Sequence, residues 1–401
     1  MTEVLYLAHD LSDAAVRRRV LMLKAGGARV TVAGFQRAGN VLADDVEVPV
    51  IVLGHTADAH LVQRVAAVLA ASVALRRKLA AVRRPDVIVA RNLEMLALAD
   101  PASRLFGGDV PVAYECLDIH RLLLDEGSKG RLLRLAEGHF GRKASLLLTS
   151  SPAFIENYFD RRSRLDLPTL LLENKVLDFH SHFEERQSCP SAPPAGQPWK
   201  IGWFGALRCR KSLQILIDLA ARMEGRVEIV LRGRPAYGEF DDFEGQVGRA
   251  SHVEFGGPYR NPEDLADIYS DVHFAWAIDF FEEGLNSQWL LPNRLYEASL
   301  HGVVPVALAS TETGRFLRRR SIGVTLDTVT TGELASVFHR MDAARYRGLG
   351  EAMATVDPAC WVTEPEECRA LVQRLSALSG AIPAMAPSFP SPSHLQPGGK
   401  S

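Results

Sequence analysis

Short apolar runs of strand length alternate along this chain with longer segments whose apolar positions recur every three or four residues. Residues 4–8, 29–33, 86–90, 111–114 and 145–149 read as strands buried on both faces of a parallel sheet. The helical segments 13–25 and 61–82 lie between them, and such alternation predicts a doubly wound parallel sheet. Residues 187–198 (QSCPSAPPAGQP) break the pattern. They are too rich in Pro and Ser for a regular element and read as an interdomain linker that permits hinge motion. The alternation then restarts, with strands expected at 200–204, 227–231, 272–276 and 303–307 and helices at 211–223 and 293–301. Residues 364–378 read as a last helix. The Pro- and Ser-rich residues after 381 read as disordered. The expected division is a first Rossmann-like unit at 1–186, a linker at 187–198, a second unit at 199–380 and a tail at 381–401.

Composition narrows this picture without changing it. A chain of 401 residues suits two domains, each large enough to bury its own core. A formal net charge of −2, with no basic arm or basic-aromatic motif, excludes a dedicated nucleic-acid binder. Cys116, Cys189, Cys209, Cys360 and Cys368 are scattered and form no paired CxxC, so no metal site is expected and a reducing compartment fits. The N-terminus has no basic region ahead of its short apolar run and reads as a first strand rather than a signal peptide. No uncharged apolar run approaches membrane-spanning length. A cytoplasmic protein is the expectation.

Two segments carry candidate chemistry. In residues 203–212 (WFGALRCRKS) a strand ends at Gly205, a short basic loop follows, and a helix begins near Lys211. Glycine lets a ligand approach the backbone, and a helix N-terminus beside cations favours phosphate. The same run also reads as a solvated basic turn. In residues 292–306 (PNRLYEASLHGVVPV) a helix carries Glu297 and ends at Gly302 before a buried strand. A carboxylate so placed can accept both hydroxyls of a ribose. The alternative is a helix surface with an Arg294–Glu297 pair one turn apart.

Together these segments resemble the GT-B glycosyltransferases, especially family 4 and its relatives. In that family the second domain opens with G-R-L-x-x-x-K-G, met here by Gly205, Leu207 and Lys211; Ala206 and Ser212 depart from it. The later E-A-x-A-x-G-x-P-V-V is met by Glu297, Ala298, Gly302, Pro305 and Val306. A further family Glu, eight positions before Glu297, is Trp289 here. The form P-x-K/R-L-x-E of one sub-group is met by Pro292, Arg294, Leu295 and Glu297.

The resemblance implies two Rossmann-like domains facing across a cleft, with a nucleoside diphosphate sugar as substrate and no bound cofactor or metal. It assigns Lys211 to the diphosphate, with Arg208 or Arg210 standing in for the family arginine whose place Ala206 takes, and Glu297 to the ribose, beside Asn293 and Arg294. Arg232, Gly233 and Tyr259 would line the base, although ordinary turns explain them equally well.

The first domain would hold a glycan or lipid-linked acceptor. Its opening, residues 6–35, resembles the family's first strand and helix and places Asp13 at the cleft. Residues 111–121 (PVAYECLDIHR) hold Glu115, Asp118 and His120, any of which can act on an acceptor hydroxyl. Helix caps or turns are the plainer roles for Asp13, Asp118 and His120. Residues 61–84 form a basic helix that either covers the sheet or rests on an anionic membrane. The reading is a metal-independent glycosyltransferase of polysaccharide or glycoconjugate synthesis. A sugar-nucleotide 2-epimerase of the same fold and a non-catalytic nucleotide-sugar-binding protein are the alternatives.

Overall fold

The computed structural model describes residues 1–36, 46–56, 61–179 and 189–380, with the side chains of 61 and 62 left aside. The expected tail at 381–401 and the first two linker residues fall outside these. Seven strands, β1 (Glu3–Ala8), β2 (Arg29–Gln36), β3 (Val50–His55), β4 (Val87–Arg91), β5 (Val112–Cys116), β6 (Ala144–Thr149) and β7 (Thr169–Leu171), form one parallel sheet in the order β3-β2-β1-β4-β5-β6-β7. After β8 (Val176–Leu177), a second parallel sheet holds β9 (Trp199–Leu207), β10 (Val227–Pro235), β11 (Val253–Phe255), β12 (Phe274–Trp276), β13 (Val304–Leu308) and β14 (Val324–Leu326), in the order β11-β10-β9-β12-β13-β14. Each order reverses at its first strand, beside β1 and beside β9. That is the switch point beyond whose strand ends open α/β sheets bind ligands.

The apolar runs are continuous because both strand faces are covered. Leu5 and Leu7 of β1 enter one core cluster, whereas Val4, Tyr6 and Ala8 enter another on the opposite face. The second sheet has its own core around Ile201, Trp203, Leu216 and Val306. Residues 189–198 hold no helix or strand, yet Cys189 and Ala192 pack against that second core, which pins this stretch of the expected linker.

The last helix, Pro365–Ala377, departs from the expected division. Its Cys368, Leu371, Val372 and Leu375 pack with Val16, Val20 and Leu23 of the first unit. Gly26 makes the approach possible, since a Cβ there would lie 2.2 Å from the Cys368 carbonyl oxygen. The chain returns through β15 (Val362–Thr363), which pairs with β8, and Lys175 meets Glu367 at 2.5 Å. Residues 365–377 therefore complete the first core, although they follow the second in sequence. Their apolar face is filled by the Ala14–Ala25 helix, a partner that sequence order does not disclose.

Candidate active site

The carboxyl end of the second sheet differs from the expected loop. β9 does not stop at Gly205 but continues to Leu207, paired with β10 through to Pro235. Gly233 sits opposite Gly205 at φ +134°, and a Cβ on it would lie 1.8 Å from the Gly205 carbonyl oxygen. The absence of a side chain at 233 thus permits this close approach of β10 to β9. Gly205, at φ +103°, has open space up to the Tyr259 hydroxyl, 3.9 Å from where its Cβ would be. Arg232 lies across Gly256 and donates to the Gly257 carbonyl at 3.3 Å.

The helix Arg210–Met223 begins after Cys209, whose thiol accepts the Ser212 N–H at 3.3 Å. Sulfur is a weak acceptor, so this cap leaves the helix end receptive to an anion. A cleft of about 900 Å³ opens over it, lined among others by Arg208, Lys211, Phe280 and Glu283. That volume is of small-ligand size, but of the expected donor residues only Arg208, Arg210 and Lys211 line the cleft; Gly205, Arg232, Gly233, Tyr259, Asn293, Arg294 and Glu297 do not. Each cation at this end faces a carboxylate. Lys211 Nζ lies 2.7 Å from both oxygens of Glu283 and over the Phe280 ring. Arg208 and Arg294 share Asp279 at 3.6 and 3.7 Å. Arg210 holds Asp241 at 3.0 Å and donates twice to the Glu239 carbonyl, which commits its guanidinium to bracing that loop.

The helix Asn293–Leu300 places Asn293, exposed, at its first position. Arg294 is largely buried, and its Nη1 has no partner among the described residues. Glu297 is buried, accepting from Asn261 Nδ2 at 2.8 Å and the Tyr269 hydroxyl at 3.1 Å. Burial pushes its carboxyl above the ordinary glutamate range, although both donors and the charges of Arg18 and Arg294 act the other way. Arg294 is ion-paired to Asp279, not to Glu297 as the surface-pair alternative has it. Asp279, Glu283, Asn261 and Tyr269 are not singled out by sequence. The run Asp279–Gly284 (DFFEEG) was the available signal, an acidic and aromatic stretch just past a buried strand.

In the first unit, Asp13 caps the Ala14–Ala25 helix by accepting the Ala15 N–H at 2.9 Å, and its other oxygen meets Arg91 at 3.0 Å. Arg91 ends β4 and also reaches Glu115 at 3.3 Å. Glu115, fully buried, accepts from the Tyr6 hydroxyl and from Arg19 Nε, each at 2.5 Å. Burial alone would raise its carboxyl; Arg19 and Arg91 more than offset this and hold it below the ordinary range. A buried charge network thus supports Asp13 from beneath. His120 is a cap, its Nδ1 accepting the Leu122 N–H at 3.2 Å, and partial burial together with Arg64 lowers its imidazole. Asp118 accepts from Asn286 Nδ2 of the second unit, so it spans the cleft.

Trp289, standing where the family has a second Glu, is an interface residue. Leu285, Trp289 and Leu290 pack against the first unit's core, and Ser151 Oγ donates to the Trp289 carbonyl. Asn174 donates to the Leu291 carbonyl at 3.2 Å. Among the described residues, no group of three or more His, Cys, Asp or Glu is arranged to hold a metal ion.

Residues 12–166 match the family model described as glycosyl transferase 4-like domain. The succinoglycan biosynthesis protein ExoL of Rhizobium meliloti (strain 1021) is 55% identical over 388 residues, covering 96% of this chain and 96% of its own. Anabaena HepE, solved in complex with UDP and glucose, superposes with a TM-score of 0.68 at 16% identity, over 95% of this chain and 100% of that one. Sucrose-phosphate synthase of Thermosynechococcus elongatus gives a TM-score of 0.66 at 15% identity, over 95% and 98%. These likenesses do not favour the epimerase or binding-protein alternatives.

Proposed function

This chain belongs to the family 4-like GT-B glycosyltransferases, and we propose that it moves a sugar from a nucleoside diphosphate sugar to a hydroxyl of a glycan or lipid-linked acceptor in polysaccharide synthesis. The observation that carries the donor side is Asp279, which is shared by Arg208 of the cation-lined cleft and by Arg294 of the helix that bears the buried carboxylate Glu297. The role named for ExoL supports polysaccharide synthesis, and the UDP and glucose bound by HepE support a UDP-sugar as donor.

In this reading Glu297 exchanges Asn261 and Tyr269 for the ribose hydroxyls. Lys211 leaves Glu283 for the diphosphate, with Arg208 beside it, and Asn293 and Arg294 border the nucleoside. As the anomeric C–O bond breaks, Lys211, Arg208 and the helix end stabilise the departing diphosphate. The acceptor oxygen forms the new bond, and its proton passes to a first-domain carboxylate or to the diphosphate. Asp13 is the carboxylate assigned here, because Arg91 fixes one of its oxygens at the edge of the first sheet. Asp118 and His120 position the cleft wall.

Titrating the protein with UDP, GDP, ADP and dTDP, and with their sugars, tests the donor reading. One nucleotide should bind in the micromolar range, and failure of all of them would end it. Lys211→Ala should weaken that nucleotide about tenfold, at the lower end for a charge-assisted contact because the side chain is half exposed. Glu297→Gln should weaken it tenfold or more, to judge from hydrogen bonds to charged groups at roughly 1.5–3 kcal/mol. The empty Glu297→Gln protein should also be the more stable one at neutral pH. A carboxyl raised by folding contributes stability below its unfolded pKa and loses it as pH rises through the folded value. Tight nucleotide binding by the Gln variant would make Glu297 purely structural.

A further inference from the structure

The basic helix Leu61–Lys78 does not merely cover the sheet. Its inner side chains, Ala71 and Leu75, are buried, but Leu69 is 63% and Val73 88% exposed, and Val65 lies on the same outward side. Spacing of four residues puts Val65, Leu69 and Val73 in one stripe, which runs into exposed Arg76 and Arg77. The Ser128–Gly141 helix repeats the arrangement. Leu132 is 67% exposed, Leu135 stands beside it, and Lys129, Arg131 and Arg142 surround them. Both helices pack against the Asn92–Leu105 helix on one face of the first sheet. The carboxylates on that middle helix are already neutralised: Glu94 by Arg64 at 3.1 Å, Asp100 by Arg104 and Lys143. Arg76, Arg77, Lys129, Arg131 and Arg142 have no carboxylate partner among the described residues.

Exposed apolar stripes of this kind mark an interaction surface, and their rim of unpaired cations selects an anionic occupant. We propose that the outward faces of the Leu61–Lys78 and Ser128–Gly141 helices together form a docking surface for an anionic lipid bilayer. Leucine and valine enter the headgroup boundary while arginine and lysine meet lipid phosphates. His120 caps the short Arg121–Leu124 helix, which packs against the Ser128–Gly141 helix, so the surface adjoins the proposed acceptor side. A membrane-held acceptor would then reach the cleft without leaving the bilayer. The docking surface itself stands or falls independently of the transfer reaction.

The test is sedimentation of the full chain with vesicles of phosphatidylcholine alone or with one third phosphatidylglycerol, at low and high salt. Binding is expected to the anionic vesicles only, weakening as salt rises. Leu69→Ser with Val73→Ser, Leu132→Ser with Leu135→Ser, and Arg76→Gln with Arg77→Gln should each lower binding about tenfold or more. Nucleotide affinity should be unchanged and serve as the check on folding. Equal binding by the variants, or none by the wild type, overturns the proposal. So does a dimer in solution that the same substitutions dissociate while vesicle binding persists, since the stripes would then be a contact between copies.

Discussion

Glu115→Ala is expected to destabilise the protein by about 3–5 kcal/mol, the cost of removing one partner from a buried ion pair. Glu115 has no exposed surface and holds Arg19, Arg91 and Tyr6 simultaneously. Its loss leaves the buried Arg19 without its carboxylate and Arg91 with Asp13 alone. Chemical denaturation of the purified protein measures the effect, with the first unit expected to unfold at lower denaturant. The pH dependence has a definite sign. Because Arg19 and Arg91 hold the carboxyl below its ordinary range despite burial, its contribution is present above the unfolded glutamate pKa of about 4.3 and is lost as pH falls through the depressed folded value. Glu115→Gln should therefore flatten the acid limb of the stability profile. An unchanged acid limb would mean that the network is not ionised as described.

Asp13→Asn is expected to lower turnover by about 10²–10⁴, the usual range for removing a positioned acid or base, with nucleotide affinity unchanged. Asparagine caps a helix about as well as aspartate, so the bond to the Ala15 N–H survives and the melting temperature should move little. What disappears is the charge that Arg91 holds at 3.0 Å. A loss in kcat without a change in donor binding would place Asp13 on the acceptor or in the transition state. Turnover within twofold of wild type would return Asp13 to the role of a cap. His120→Ala, by contrast, should mainly lower thermal stability, because the Nδ1 of His120 is already engaged by the Leu122 N–H.

The two sheets were legible because strands buried on both faces leave continuous apolar runs, as at residues 4–8 and 303–307. The donor segments were legible through spacing, which set Gly205, Lys211 and Glu297 apart. Other features depend on partners distant in sequence and so left no local trace. Gly233 reads as a turn glycine until β10 is laid against β9. The Pro365–Ala377 helix reads as part of the second unit until its apolar face meets Val16 and Val20. Trp289 reads as a missing carboxylate until its packing against the first core is seen. The ion pairs that occupy Lys211 and Arg208 were hidden because Glu283 and Asp279 lie some seventy residues further along. Arg91 left one faint mark, as an arginine closing an otherwise apolar strand.

The most direct test of sugar transfer uses the full chain with radiolabelled nucleotide sugars and membranes bearing lipid-linked glycan. One donor should release its nucleoside diphosphate in step with label appearing in the glycan or lipid fraction, and Asp13→Asn should depress both together. Release of no nucleotide from any donor, or conversion of the donor to its 2-epimer without transfer, would contradict the account.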